Sequence, residues 1–300
     1  MHFLTLADLS ADSCHNLIER AVELKRQLKE RGSSPQTLAD KSILLLFEKP
    51  STRTRLSFEI GISQMGGNAI FISGQDSQMT RGESIRDTAR IISSMADGMM
   101  IRNNSHTNMQ EFANNSQVPI INGLSSDFHP CQLLADLTTY YELRGSIAGK
   151  KVVWCGDGNN MCNSYIEAAS IMGFNLVVAA PEEYLPPAEL LEKYSSSVTV
   201  TQDIESAISD AALVSTDVWV SMGDKDADSK REILKPFQVT SELLDKAADD
   251  VLFMHCLPAK EGEEIEVGLL DDKRSAVWTQ AENRLHAQKA LLELLFSPSN

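Results

Sequence analysis

What most constrains this chain is a rhythm in which short apolar runs of strand length alternate with stretches of helical spacing, in two series. The first series predicts strands at residues 43–47, 68–72, 99–101 and 119–122, then a helix over 130–143 that stops at Arg144-Gly145. The second predicts strands at 151–155, 175–180, 198–201, 211–215 and 251–254. Strands separated by helices cannot turn back as hairpins, so they lie side by side as βαβ units on parallel sheets. At roughly 150 residues per domain, 300 residues make two domains. The expected fold is therefore α/β with two domains, 1–144 and 145–279, each a mostly parallel sheet flanked by helices. Leu17, Ile18, Ala21, Leu24 and Leu28 mark an amphipathic helix over 12–31, stopped by Gly32, and Leu285, Ala287, Leu291, Leu292 and Leu295 mark a closing one. The polar stretch 223–229 is expected to be a mobile loop.

Charge narrows the function. With 27 Lys and Arg against 42 Asp and Glu the formal net charge is −15, which repels nucleic acid and anionic membrane surfaces. No apolar run approaches the ~18 residues of a membrane span, and the first ten residues carry neither a signal peptide nor a basic targeting pattern. The five cysteines are odd in number and include no C-x-x-C pair, as expected in a reducing, cytoplasmic setting. The same −15 argues against an anionic small substrate, and only the local sequence tests that.

Ligands of open α/β sheets bind beyond the carboxyl ends of the strands. After Phe47 come Glu48-Lys49-Pro50-Ser51-Thr52-Arg53-Thr54-Arg55, opening a helix. Helix-start amides, hydroxyls and arginines set there against one acid make a phosphate site. Arg102 follows the predicted strand Met99-Met100-Ile101 in the same way, and His129-Pro130-x-Gln132 opens a helix with an imidazole and a carboxamide on one face. In the second half Gly156-Asp157-Gly158-Asn159-Asn160 approaches a dinucleotide fingerprint, with Glu182 where a ribose ligand belongs, but Met161 replaces the third glycine. The paired asparagines suit a polar, zwitterionic group instead. Asp217 follows a strand and offers a carboxylate to an ammonium, and the last strand ends in His255-Cys256-Leu257-Pro258. Neighbours on a strand face opposite ways, so His255 is not set to activate Cys256 as a nucleophile. These segments point to one active site in the cleft between the domains, with phosphate chemistry on the first and amine recognition on the second.

Ser51-Thr52-Arg53-Thr54, Arg102, His129-Pro-x-Gln132, Asp217-x-x-x-Ser221-Met222-Gly223, His255-Cys256-Leu257-Pro258 and Glu282-Asn283-Arg284, in this order, resemble the signature set of the ornithine carbamoyltransferases. Ser-x-Arg-Thr and His-Pro-x-Gln are shared with aspartate carbamoyltransferases; the Phe-Glu-Lys lead-in, Asp-x-x-x-Ser-Met-Gly and His-Cys-Leu-Pro single out ornithine. The resemblance implies transfer of a carbamoyl group from carbamoyl phosphate to L-ornithine, giving L-citrulline and phosphate, with no metal and no cofactor. It implies that Ser51, Thr52, Arg53 and Thr54 cradle the phosphate, joined by Gln78 from a neighbouring subunit and by Arg284. By the same resemblance Arg102 and His129 stabilise the carbamoyl oxygen, Gln132 binds the carbamoyl amino group, and Cys256 and Leu257 border the same ligand. Ornithine falls to Asn160 (or Asn159), Asp217, Ser221 and Met222, with Asp217 and Cys256 beside the attacking amine. A cis Leu257-Pro258 bond, a homotrimer, closure of the Ser221-Met222-Gly223 loop and a helix 280–300 packed back on the first domain are implied as well. The competing readings are a carbamoyltransferase for N-acylornithine, putrescine or aspartate, a nicotinamide dehydrogenase on Gly156-x-Gly158, and a catalytically silent relative.

Overall fold

The computed structural model describes residues 1–220 and 226–297. Its strands are β1 (Ser42–Phe47), β2 (Asn68–Ser73), β3 (Gly98–Arg102), β4 (Ile120–Leu124), β5 (Lys151–Cys155), β6 (Asn175–Ala179), β7 (Val198–Thr201), β8 (Leu213–Thr216) and β9 (Leu252–His255), each within two residues of its expected bounds. The helices that matter below are α1 (Ala11–Arg31), α2 (Thr52–Gln64), α3 (Pro130–Arg144), α4 (Asn160–Met172), α5 (Ala227–Leu234) and α6 (Val277–Phe296). All strand pairings within the two sheets are parallel, in the orders β2-β1-β3-β4 and β7-β6-β5-β8-β9.

The first sheet packs on itself as the sequence dictates. Leu44, Leu45 and Leu46 are buried on both faces of β1, the pattern of a central parallel strand covered by helices on each side, whereas β2 at the edge is only partly buried. Between β3 and β4 the register slips: Ile101 faces Asn122 but Arg102 faces Leu124, leaving Gly123 unopposed. The bulge needs glycine, because a Cβ there would lie 2.3 Å from the Met100 sulfur, and it bends β4 beside the end of β3 where Arg102 stands. In the second sheet Val153, Cys155, Val214 and Phe253 from β5, β8 and β9 form a core with Ile208, Phe237, Val239 and Ile265.

By internal packing the chain divides into two units, Met1–Thr138 with the segment from Glu282 onward, and Thr139–Ala281. The stretch 223–229 differs from the loop expected of it: Ala227–Leu234 is helical, so Ala227, Asp228 and Ser229 begin α5, while 223–225 lie outside the described residues. Asp228 three residues before Arg231 supplies the local ion pair (2.9 Å) that suits a polar sequence to a helix. Among the described residues, no helix is long and apolar enough to cross a membrane.

Candidate active site

Ser51 is the N-cap residue of α2, and its extended backbone fits that role, yet its side chain makes no capping hydrogen bond. Ser10, Ser84, Asn159 and Thr240 all accept such a bond at their helices. Ser51 thus places no hydroxyl over the amides at the start of α2, with Thr52 exposed and Arg53 half-buried alongside, the arrangement that receives an anion. Thr54 is 1% exposed. Its Oγ1 accepts from Arg102 Nη1 (3.4 Å) and from Arg284 Nη2 (3.0 Å). A hydroxyl has two acceptor positions and one proton; the arginines fill the acceptor side, and the proton is left to donate.

Arg284, on α6, also donates from Nη1 to Gln132 Oε1 (2.6 Å). The Gln288 carboxamide, turned so that its oxygen meets the guanidinium, accepts from Arg284 Nε at 3.1 Å and Nη2 at 3.0 Å. Gln132 in turn donates from Nε2 to Asp136 (2.9 Å), which fixes which end of the amide faces Arg284. His129, 5% exposed, precedes α3 at Pro130. Burial, reinforced by Arg284, Arg102 and Arg53, holds its pKa well below the ordinary histidine value. The imidazole is therefore neutral and carries one N–H.

Two residues stand apart from this cluster. Arg55 donates to Glu59 (2.8 Å) and lies 3.7 Å from the Phe71 ring centroid, so its guanidinium is held on the helix surface by a carboxylate and an aromatic face. Gln78 is exposed on the short turn Gln78–Arg81, and among the described residues no hydrogen bond joins it to Ser51, Thr52, Arg53, Thr54 or Arg102.

The second unit centres on Asp217, just beyond β8. Its Oδ1 accepts from the Val218 amide (2.8 Å) and from Cys256 Sγ (3.0 Å), and its Oδ2 from Asn159 Nδ2 (2.9 Å). Asn159 simultaneously caps α4, its Oδ1 accepting from the Met161 and Cys162 amides at 2.9 and 3.2 Å. Both ends of Asn159 are thus engaged, and half-buried Asn160 opens the helix beside it. The fingerprint glycines serve packing: a Cβ on Gly158 would sit 2.4 Å from the Pro186 nitrogen, and one on Gly156 3.1 Å from Trp219 Nε1. Ser221 and Met222 lie outside the described residues.

The Leu257-Pro258 peptide is cis, as expected, and Leu257 has φ +56°. This turn is held from below by a pair that pattern reading passed over. His255 Nδ1 accepts from the Leu257 amide (2.8 Å), so its Nε2 carries the proton donated to Glu264 (3.1 Å), both side chains being wholly buried. Glu264 has no local signal, lying in a loop that meets β9 only through folding. The other missed pair is Lys230 on α5 with Asp157, 2.7 Å apart.

Asp217, His255 and Cys256 bring one ligand atom each within 4.8 Å, the spacing of a metal site. The donor set does not suit one. His255 has one ring nitrogen facing an amide N–H and the other protonated toward Glu264, so ligation requires breaking one of these bonds. Burial raises the remaining thiols, Cys14 and Cys131 to about 12 and Cys155 and Cys162 above their ordinary value, which marks them as packing residues.

Residues 1–142 match the family described as aspartate/ornithine carbamoyltransferase, carbamoyl-P binding domain, and residues 148–295 match its Asp/Orn binding domain. An ornithine carbamoyltransferase of Pseudomonas syringae pv. tomato is 58% identical over 99% of this chain and 97% of its own. One of Pseudomonas aeruginosa described as anabolic is 57% identical over 98% of this chain and 96% of its own. Among solved structures, the ornithine carbamoyltransferase of Pyrococcus furiosus superposes with a TM-score of 0.94 at 42% identity, covering 100% of this chain and 98% of that one.

Proposed function

The chain belongs to the aspartate/ornithine carbamoyltransferase family, and from that premise we propose how its own residues transfer a carbamoyl group from carbamoyl phosphate to the side-chain amine of L-ornithine. Carbamoyl phosphate binds on the first unit. Ser51, Thr52, Arg53 and Thr54 hold the phosphate at the start of α2, and Gln78 joins them from another subunit of a homotrimer. Arg102, the neutral His129 and the free proton of Thr54 donate to the carbamoyl oxygen. Gln132 Oε1 has a second lone pair beyond the one facing Arg284, and this accepts from the carbamoyl amino group.

On the second unit Asp217 has three donors on its oxygens. A carboxylate offers about four acceptor positions, and the remaining one holds an ammonium of ornithine. Asn160, Ser221 and Met222 take the amino-acid end, and Cys256 and Leu257 border the reacting amine and the carbamoyl group. The neutral amine attacks the carbamoyl carbon, and the C=O electron pair moves to oxygen. Collapse of that oxyanion breaks the bond to phosphate, which leaves carrying the proton the amine gives up. Donors aimed at such an oxyanion are worth about 3 kcal/mol each.

The observation that carries this reading is that Thr54 receives both Arg102 and Arg284 in one unit, while Asp217 receives Asn159, Val218 and Cys256 in the other. The same reading makes the units a carbamoyl phosphate-binding and an ornithine-binding domain of a cytoplasmic enzyme. It is tested by a colorimetric ureido assay with carbamoyl phosphate and ornithine, N-acetylornithine, putrescine or aspartate offered separately. Citrulline from ornithine, with the other amines at background, is expected. Product from another amine replaces the substrate assignment, and none from any amine removes the enzymatic one.

A further inference from the structure

The Glu-Asn-Arg run at 282–284 gives Arg284 to the phosphate cluster and leaves two polar residues without a role. Both meet one side chain of the N-terminal helix. Lys25 is 4% exposed and donates from Nζ to Asn283 Oδ1 at 2.8 Å. It also forms an ion pair with Glu282 at 3.1 Å, and Lys29, one turn on, reaches the same carboxylate at 3.2 Å.

Lys25 lies on the apolar side of α1, four residues after buried Ala21 and beside buried Leu24. Burying an ammonium there costs several kcal/mol unless it is paired and hydrogen-bonded, and an apolar side chain at this place buries without that cost. The charge therefore selects one docking of the two helices, the one that brings Glu282 and Asn283 to the ammonium. That docking also sets how far Arg284 extends towards Thr54 and Gln132.

We propose that Lys25 is a positioning residue for carbamoyl phosphate binding, acting through Glu282 and Asn283 on the placement of Arg284. This rests on the reading of Arg284 as a carbamoyl phosphate ligand. The same helix pair provides its own control. Arg20 on α1 grips Glu293 on α6 through two bonds of 3.0 Å, about 13 Å farther along α6 from Arg284 at 1.5 Å per residue. It joins the same helices without neighbouring Arg284.

The test compares full-length Lys25→Met, Glu282→Gln and Arg20→Gln with the parent enzyme, measuring KM for each substrate, kcat and the melting temperature. Lys25→Met is expected to raise KM for carbamoyl phosphate about tenfold, a misplacement of under an ångström being enough, with KM for ornithine unchanged. Glu282→Gln gives a smaller rise in the same parameter, and its side chain, 43% exposed, makes misfolding no obstacle if Lys25→Met fails to fold. Arg20→Gln lowers the melting temperature and leaves both KM values alone. The proposal is overturned if Glu282→Gln, and Lys25→Met where it folds, behave as Arg20→Gln does. A parent enzyme that makes no citrulline overturns the function instead, so the two failures are distinct.

Discussion

The two units solve one electrostatic problem with opposite signs. In the first, Arg284 is gripped by a hydroxyl, two carboxamides and no carboxylate among these partners: Thr54, Gln132 and Gln288. In the second, Asp217 is gripped by an amide N–H, a carboxamide N–H and a thiol. The hydrogen bonds named here orient each ion, and on the proposed reading its charge meets the ligand. Elsewhere the chain behaves differently: Arg274 meets two carboxylates, Asp272 and Asp245, and pulls Asp272 down to about 2. Its charge is consumed within the structure.

Removing either ion breaks the comparison with the largest effect. Arg284→Met and Asp217→Asn are expected to lower kcat/KM for carbamoyl phosphate and for ornithine respectively by roughly 10²–10⁴, the range of about 3–5 kcal/mol for deleting one member of a buried charge pair. Steady-state kinetics with each substrate varied would show it. Equal losses for both substrates in both variants would mean that the charges are not divided between the ligands as described. Cys256→Ala removes only a neutral donor to Asp217. A loss of about 1 kcal/mol, seen as a several-fold rise in KM for ornithine with carbamoyl phosphate binding unchanged by calorimetry, is expected. Unchanged ornithine kinetics would strike the thiol from the site.

A stability effect concerns Lys289, a fully buried cation of the first unit held by the Ser34 hydroxyl and the Gln64 carboxamide. Burial lowers its pKa to about 8 from 10.5. The folded protein then binds fewer protons than the unfolded chain between those values, so stability rises with pH across that window. Denaturant titrations at pH 7.5 and 9.5 should show a gain that is absent in Lys289→Met. A parallel response in both proteins would place the titration elsewhere. A guanidinium keeps its charge under burial that lowers the pKa of an ammonium, which suits arginine to the buried places proposed to hold phosphate.

Much of this was legible in sequence because it is local. The strand rhythm, the hydroxyl-and-arginine run after Phe47, Asp217 after β8 and the turn at Leu257-Pro258 all lie within a few residues of the signals that reveal them. What lay hidden depends on partners brought together by folding. Arg55 belongs to the same run as Arg53, but Glu59 and Phe71 claim it. Asn159 and Asn160 look equivalent until the cap of α4 and Asp217 engage the first. Glu264 and Lys25 carry no motif at all, and only the packing of His255 and of α6 gives them meaning. The global charge of −15 is likewise silent about a local cluster in which Arg53, Arg102 and Arg284 all act on His129.

Arg284 is separated from Thr54 by 230 residues of chain, with the whole of the second unit in between. On the ribosome, where synthesis runs at about 5–20 residues per second, the first unit emerges early but waits for the last helix before its phosphate cluster is whole. The half of the molecule that is made first is thus finished last. Until then α1 and α2 lack their contacts with α6, and on the proposed reading an interrupted chain lacks one of the groups that grip carbamoyl phosphate.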